Sequence, residues 1–402
     1  MLKKIDVDHL RLGMHLHAFE AAWIEHPFWR TRFVLDDPAD LVAVRASGVR
    51  ECWIDTAHGL DVAPVAVHED VAVVTASPAA APLPEPVSRT SFQEELRRAA
   101  ILCKRSRGAV ASMYAEARLG HALDAERCMP MVEEIAKSVY RNPGALVSLA
   151  RLKTVDDYSY MHSVAVCALM VALGRTLGLS DAQCRQAGMA GLVHDMGKAL
   201  MPPEILNKPG KLTDEEFAVM RTHPERGHAL LIEGRGVDAV ALDVCLHHHE
   251  RIDGTGYPKR LAGDVITLHA RMGAVCDVYD AITSNRPYKA GWDPGESLAR
   301  MARWTGHFDA VIFAAFVKSL GIYPSGSLVR LASGRLAVVV EQNAHALTMP
   351  VVKVFFSSKS NLPLPTELLD LSRSGDRIVT REPRGDWSVP QLEGLWTGDA
   401  LT

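Results

Sequence analysis

The chain has 402 residues, 48% of them hydrophobic and 23% charged, which is long enough for more than one core and too apolar for wholesale disorder. A formal net charge of −4 gives no sign of a nucleic-acid coat or a polybasic membrane patch, so an anionic ligand must be met by a local cluster of cations. Seven cysteines, scattered singly without a CxxC pair, fit reduced thiols better than a disulfide scaffold.

In chain order, the start MLKKIDVDHL lacks the apolar stretch of a signal peptide. The run SVAVCALMVALGRTLGL is broken by Arg175, short of a membrane span. A soluble, cytoplasmic protein is therefore expected. Residues 1–70 show β-like alternation in HLRLGMHLHAF and RECWIDT, and a helix in DDPADLVAVRASG ending at Gly48. That mixture predicts a small α+β module, without the doubly wound pattern of a phosphoreceiver; what it senses is left open. Residues 71–90 read as an Ala/Pro-rich linker, stiffened by the prolines of ASPAAAPLPEPVSRT.

Residues 91–145 predict connecting helices. Ser91 and Glu94 form a capping box for FQEELRRAAILCKRSRGAVASMYAEARLG, and DAERCMPMVEEIAKSVYRN continues as a helix despite Pro130. Over residues 146–321 helix follows helix, among them DDYSYMHSVAVCALMVALGRTLG, SDAQCRQAGMAGLVHD, VDAVALDVCLHHH and HARMGAVCDVYDAITS. After Gly321 the texture changes to β-branched runs, SLVRLAS, RLAVVVEQ and PVVKVFFSS, which predict a small β unit over residues 322–402. The expected fold is mainly α: an all-helical bundle with a small α+β module before it and a small β unit after it.

The residues that carry chemistry lie in the helical stretch. His162 sits inside an apolar helix, GLVHDMGK ends another with His194, Asp195 and Lys198, His223 precedes a proline in RTHPERG, and CDVYDA sets Asp277 and Asp280 one helical turn apart. Imidazoles and carboxylates spread over several helices are what a non-thiolate metal site inside a bundle requires. Taken singly, each has an ordinary reading: a hydrogen-bonded core histidine, a turn cap, a paired buried acid. His9, His15, His17, His121, His228 and His269 keep that ordinary reading. The run His247, His248, His249 poses its own limit. Neighbouring helical side chains stand about 100° apart, so two converge on one site while three span roughly 200°. At least one of the three faces elsewhere, and geometry alone does not say which.

In order, HDMGK, HP, HHE, DGTGYP and DVYDAITSNRPYK form a string that resembles the HD-GYP family of metal-dependent phosphohydrolases. The likeness covers residues 146–320 closely, and the amino-terminal module looks like a domain of unknown function often found in front of it. The resemblance implies an HD-type bundle acting as a cyclic di-GMP phosphodiesterase, yielding the linear dinucleotide and, as a further step, GMP. A hydroxide shared between two divalent ions, iron or manganese, would attack the phosphate. By the same resemblance the metal ligands are His162, His194, Asp195, His223, His248, His249 and Asp277, which leaves His247 as the spare histidine. Lys198 would reach the substrate or the bridging water, and Tyr257 would shape the pocket. Arg286 and Lys289 would hold phosphates, and Asp280 would orient a ligand histidine. Trinuclear members add a glutamate four residues before the first histidine; here that position is Tyr158, with Asp156 and Asp157 out of helical phase, so two ions are expected. A GGDEF-type cyclase is a partner the resemblance suggests. The alternatives are hydrolysis of another cyclic or linear nucleotide, and a sensor or scaffold working through protein contacts.

Overall fold

In the first of two units, Met1–Glu85, strands β1 (Leu2–Asp6), β2 (His15–Phe19), β3 (Phe33–Val34) and β4 (Glu51–Asp55) pair antiparallel in the order β1-β4-β2-β3. Helix α1 (Pro38–Ala46) lies between β3 and β4 in the chain. Cys52 and Ile54 alternate into a small core with Ile5, Leu16, Leu35 and Val44. The strand in HLRLGMHLHAF begins only at His15, because Val7–His9 form a 3₁₀ turn capped by Asp6. Strand β1 has no legible alternation; of LKKID only Ile5 is buried, and pairing with β4 makes it a strand. The computed structural model describes residues 2–19, 33–46, 51–61, 90–152, 158–284, 291–343, 345–383, 385, 387 and 389–398. Most of the expected linker lies outside these residues.

The second unit, Pro86–Thr402, starts with α2 (Phe92–Arg118), α3 (Met129–Arg141) and α4 (Pro143–Ala150). The Ser91 side chain accepts from Glu94 N at 3.3 Å and opens α2. Pro130 is tolerated because it falls in the first turn of α3, where its missing N–H would have had no partner. Buried Glu95 on α2 fastens α3 by accepting from Arg141 Nε at 2.6 Å, Arg141 Nη2 at 2.7 Å and Ser138 Oγ at 2.7 Å.

Helix α5 (Tyr158–Thr176) is the centre of the bundle. Every residue from Val164 to Leu173 is buried, and a helix apolar on all faces must be packed on all faces. Around it lie α2, α3 and α4 on one hand and α6 (Asp181–Val193), α11 (Leu268–Thr283) and α13 (Ala310–Leu320) on the other. Between α6 and α11 the chain forms α7 (Pro203–Leu206), α8 (Asp214–Met220), α9 (His223–Ile232) and α10 (Ala239–His247), and α12 (Pro294–Met301) precedes α13.

The closing strands are β5 (Leu328–Leu331), β6 (Arg335–Glu341), β7 (Val351–Ser357), β8 (Leu362–Asp370) and β9 (Ile378–Arg381), with α14 (Leu371–Ser374) before β9 and α15 (Val389–Thr397) at the end. They pair antiparallel in the order β8-β7-β6-β5-β9. Strand β6 is buried on both faces. Val338 and Val340 join the helical core together with Leu328 and Trp396, while Ala337 and Val339 pack with Val329, Leu331 and Val352 on the other side. Strand β8, within the expected β unit, carries Pro363 and Pro365. Its edge position accommodates them, because an edge strand has N–H groups that need no ladder partner.

Candidate metal centre

Five chain segments converge beside α5. His162 comes from α5 itself, and His194 and Asp195 from the turn that ends α6. His223 opens α9, His248 and His249 follow α10, and Asp277 comes from the middle of α11. Two groups of potential ligand atoms result, each with its atoms within 4.8 Å of one another: His162, His194, Asp195 and Asp277, and Asp195, His223, His248 and His249. Asp195 belongs to both. Its Oδ2 lies 3.3 Å from His162 Nε2 and 3.3 Å from His194 Nε2, whereas its Oδ1 lies 3.2 Å from His223 Nε2 and 3.7 Å from His248 Nε2. Asp277 spans the groups in the same way, with Oδ1 at 2.9 Å from His162 Nε2 and Oδ2 at 3.7 Å from His249 Nδ1.

Local backbone chemistry sets the imidazoles. Nδ1 faces the Gly191 carbonyl at 2.8 Å in His194, the Met220 carbonyl at 2.8 Å in His223, the Val244 carbonyl at 3.0 Å in His248, and Asp280 Oδ2 at 2.6 Å in His162. A nitrogen facing an oxygen acceptor carries a proton, so in all four rings Nε2 is the nitrogen turned to the cluster. Close approach of these segments needs Gly197 of the HDMGK turn; a Cβ there would stand 1.8 Å from the His223 carbonyl oxygen.

The electrostatics are those of a cluster built for cations. Burial opposes a charge on His162, yet hydrogen bonds to Asp195, Asp277 and Asp280 outweigh it and raise its pKa to about 10. Burial alone would raise the Asp195 carboxyl, but Lys198 and His194 hold it well below the ordinary carboxylate range. His248 is pushed down to about 3 by burial and then by repulsion from His194. The buried acids are thus ionised and neutralised by nearby protons, which divalent ions can replace. Two atoms make the fit specific: His194 Nε2 and Asp195 Oδ1 are buried without a hydrogen-bond partner. Such groups are costly unless an ion meets them. Burial raises the Cys245 and Cys276 thiols far above neutral pH, so the donor set is nitrogen and oxygen, suited to a divalent transition metal.

Residues 2–128 match a domain of unknown function, and residues 130–312 match the HD domain. Over 401 residues the chain is 55% identical to a cyclic di-GMP phosphodiesterase of Pseudomonas aeruginosa, covering 99% of this chain and 96% of that protein. The chain belongs to the HD-GYP family. It is also 42% identical over 160 residues to the cyclic di-GMP phosphodiesterase response regulator RpfG of Xanthomonas campestris, covering 38% of this chain and 42% of that protein. A 3′3′-cGAMP-specific phosphodiesterase of Vibrio cholerae is 35% identical over 166 residues, 41% of this chain and 38% of its own length. No helix among the described residues is long and apolar enough to cross a membrane.

Within the HD-GYP unit the histidine run divides as its helical phase requires. His247 turns away from the cluster and its Nδ1 meets Asp243 Oδ1 at 2.8 Å, while His248 is fully buried beside His223 and His249 reaches toward Asp277. Lys198 Nζ donates to Asp195 Oδ2 at 2.5 Å. Tyr257 stacks on His249 with ring centres 4.7 Å apart. Arg286, Lys289, Asp156 and Asp157 lie outside the described residues, and Tyr158 is the first residue of α5.

Two contributors were not singled out from the sequence. Glu250 is buried, and its carboxylate accepts from Lys259 N at 2.6 Å and Leu261 N at 3.1 Å, which folds the GYP loop back over the histidines. Its place as the last residue of HHE was the available signal. Arg221, ending α8, lies 4.7 Å over the Tyr257 ring and 6.0 Å from Phe217. Only the fold brings it there.

Proposed function

We propose that this HD-GYP chain is a metal-dependent phosphodiesterase that opens cyclic di-GMP to the linear dinucleotide, with two divalent ions, iron or manganese, in the histidine and aspartate cluster. His162, His194, Asp195 and Asp277 would hold one ion, and Asp195, His223, His248 and His249 the other. The observation that carries this reading is the division of Asp195, whose two oxygens face different groups of imidazoles. When bound, the ions supply a water activated at neutral pH and positive charge for the phosphate oxygens.

The protein's own residues supply position. Nδ1 contacts lock four imidazoles before any ligand arrives, so little reorganisation is needed on binding. Lys198 keeps a positive charge beside Asp195 and would meet a non-bridging phosphate oxygen. Tyr257 and Arg221 form a stacked rim on which a purine or a second phosphate would rest. Arg286 and Lys289 are proposed to grip the phosphates, Arg286 by its fork and Lys289 as a point charge.

Metal-loaded protein given cyclic di-GMP, mixed cyclic GMP–AMP or the linear dinucleotide tests the proposal by chromatography of the products. Cyclic di-GMP should be consumed fastest, with the linear dinucleotide appearing first. Faster use of the mixed cyclic dinucleotide would reject the substrate, and no turnover of any of them with metal bound would reject the activity.

A further inference from the structure

Away from the metal centre, a cavity of about 460 Å³ opens between the helical bundle and the carboxy-terminal sheet. The α3–α4 junction, the carboxy ends of α5 and α13 and the end of β6 wall it. Its volume lies in the range of small-molecule sites, which form preferentially at seams of this kind.

Its charge is one-sided. Arg141, Arg151, Arg175 and Lys318 line it, against Glu341 as the one acid among the described lining residues. Burial raises the Glu341 carboxyl, against the opposing effect of Asn142 Nδ2, which donates to it at 2.9 Å. Arg141 is already held by Glu95, and Arg151 Nη2 donates to the Ser325 carbonyl at 3.1 Å. The other two cations are not neutralised in this way. Arg175 is exposed, donates to the Tyr140 carbonyl at 3.1 Å and lies 5.1 Å over the Tyr140 ring. Lys318 is exposed and makes no ion pair among the described residues. Four cations against one carboxyl that Asn142 already meets describe a site for an anion.

We propose that this cavity binds an organic phosphate of mononucleotide size, with the phosphate on Arg175 and Lys318. Guanosine monophosphate is the ligand of choice for the test. That choice of base rests on the proposed function, whose products are guanine nucleotides; the anion site does not. Helices α5 and α11 contribute to both places, α5 through His162 and Arg175 and α11 through Asp277 and Tyr279.

Calorimetric titration of guanosine monophosphate into the metal-loaded full chain tests the site, comparing wild type with an Arg175→Glu, Lys318→Glu double variant. Wild type should show a binding component that weakens about tenfold or more in the variant, a loss of at least one decade for two reversed charges. Turnover of the variant without added nucleotide should equal that of wild type, and inorganic phosphate should compete for the lost component. Binding that is absent in wild type, or unchanged in the variant, would overturn the proposal. Crystals of the unsubstituted chain soaked with 8-bromoguanosine monophosphate decide the same question without relying on the variant's folding. Bromine in the cavity supports the site, and bromine only at the histidine cluster rejects it. If cyclic di-GMP is not hydrolysed, the proposed function fails, while phosphate competition and its sensitivity to charge reversal still report on the cavity.

Discussion

Asp280→Asn isolates what a residue behind the cluster contributes. In the structure Asp280 Oδ2 lies 2.6 Å from His162 Nδ1, and both side chains are almost fully buried, at 3% and 2% exposure. A charge-assisted hydrogen bond of this kind is worth about 1.5–3 kcal/mol. Asparagine keeps the shape and one acceptor oxygen, so the ring can hold the same tautomer while the negative charge behind it is lost. A weaker donor at Nε2 should then lower metal affinity about 10–100-fold, or about 1.4–2.7 kcal/mol. Chelator competition followed by elemental analysis reads the affinity, and turnover at saturating metal reads what is left of activity. Expected are weaker retention of metal and recovery of most turnover when metal is in excess. Wild-type affinity in Asp280→Asn would refute the reasoning, because the imidazole would then need no carboxylate to hold it.

The histidine run gives a paired test: His247→Ala should cost no more than the roughly 0.2–1 kcal/mol of its partly exposed contact with Asp243, while His248→Ala should lose metal and turnover. Equal metal loss in both would place the wrong histidine at the cluster. Arg221→Ala should raise KM about tenfold with kcat and metal content nearly unchanged, as expected for a charged contact to substrate at the rim. A fall in kcat at constant KM would instead make it part of the reacting centre. Arg141→Met should destabilise the fold by about 3–5 kcal/mol, measured by urea unfolding, because it leaves buried Glu95 without its cation; a change below 1 kcal/mol would mean that Ser138 alone suffices.

Much of this arrangement was legible before any coordinates. The all-apolar run from Val164 to Leu173 marks a central helix, and the interruption of such runs by His162, His194 and Asp277 marks a site that burial alone cannot explain. Helical phase requires that one histidine of three turn away, but choosing His247 needed the motif, and the structure adds its pairing with Asp243. What periodicity could not disclose depends on distant partners. Strand β1 exists because β4 pairs with it, and β8 tolerates two prolines because it sits at a sheet edge. Helix α9 was hidden by His223 and Pro224, which look like a turn until Pro224 is seen to occupy the first helical turn. Arg221 meets Tyr257 across 35 residues of intervening chain, and Glu250 acts through loop amides, so neither leaves a periodic trace.

The central claim is that one cluster, bridged by Asp195, holds two ions that the hydrolysis requires. Metal analysis of anaerobically purified protein, titrated with chelator while cyclic di-GMP turnover is followed, tests it most directly. Two tightly held divalent ions per chain are predicted, with turnover lost on chelation and restored only as the second equivalent returns. One or three tightly held ions, or turnover that survives their removal, would contradict it.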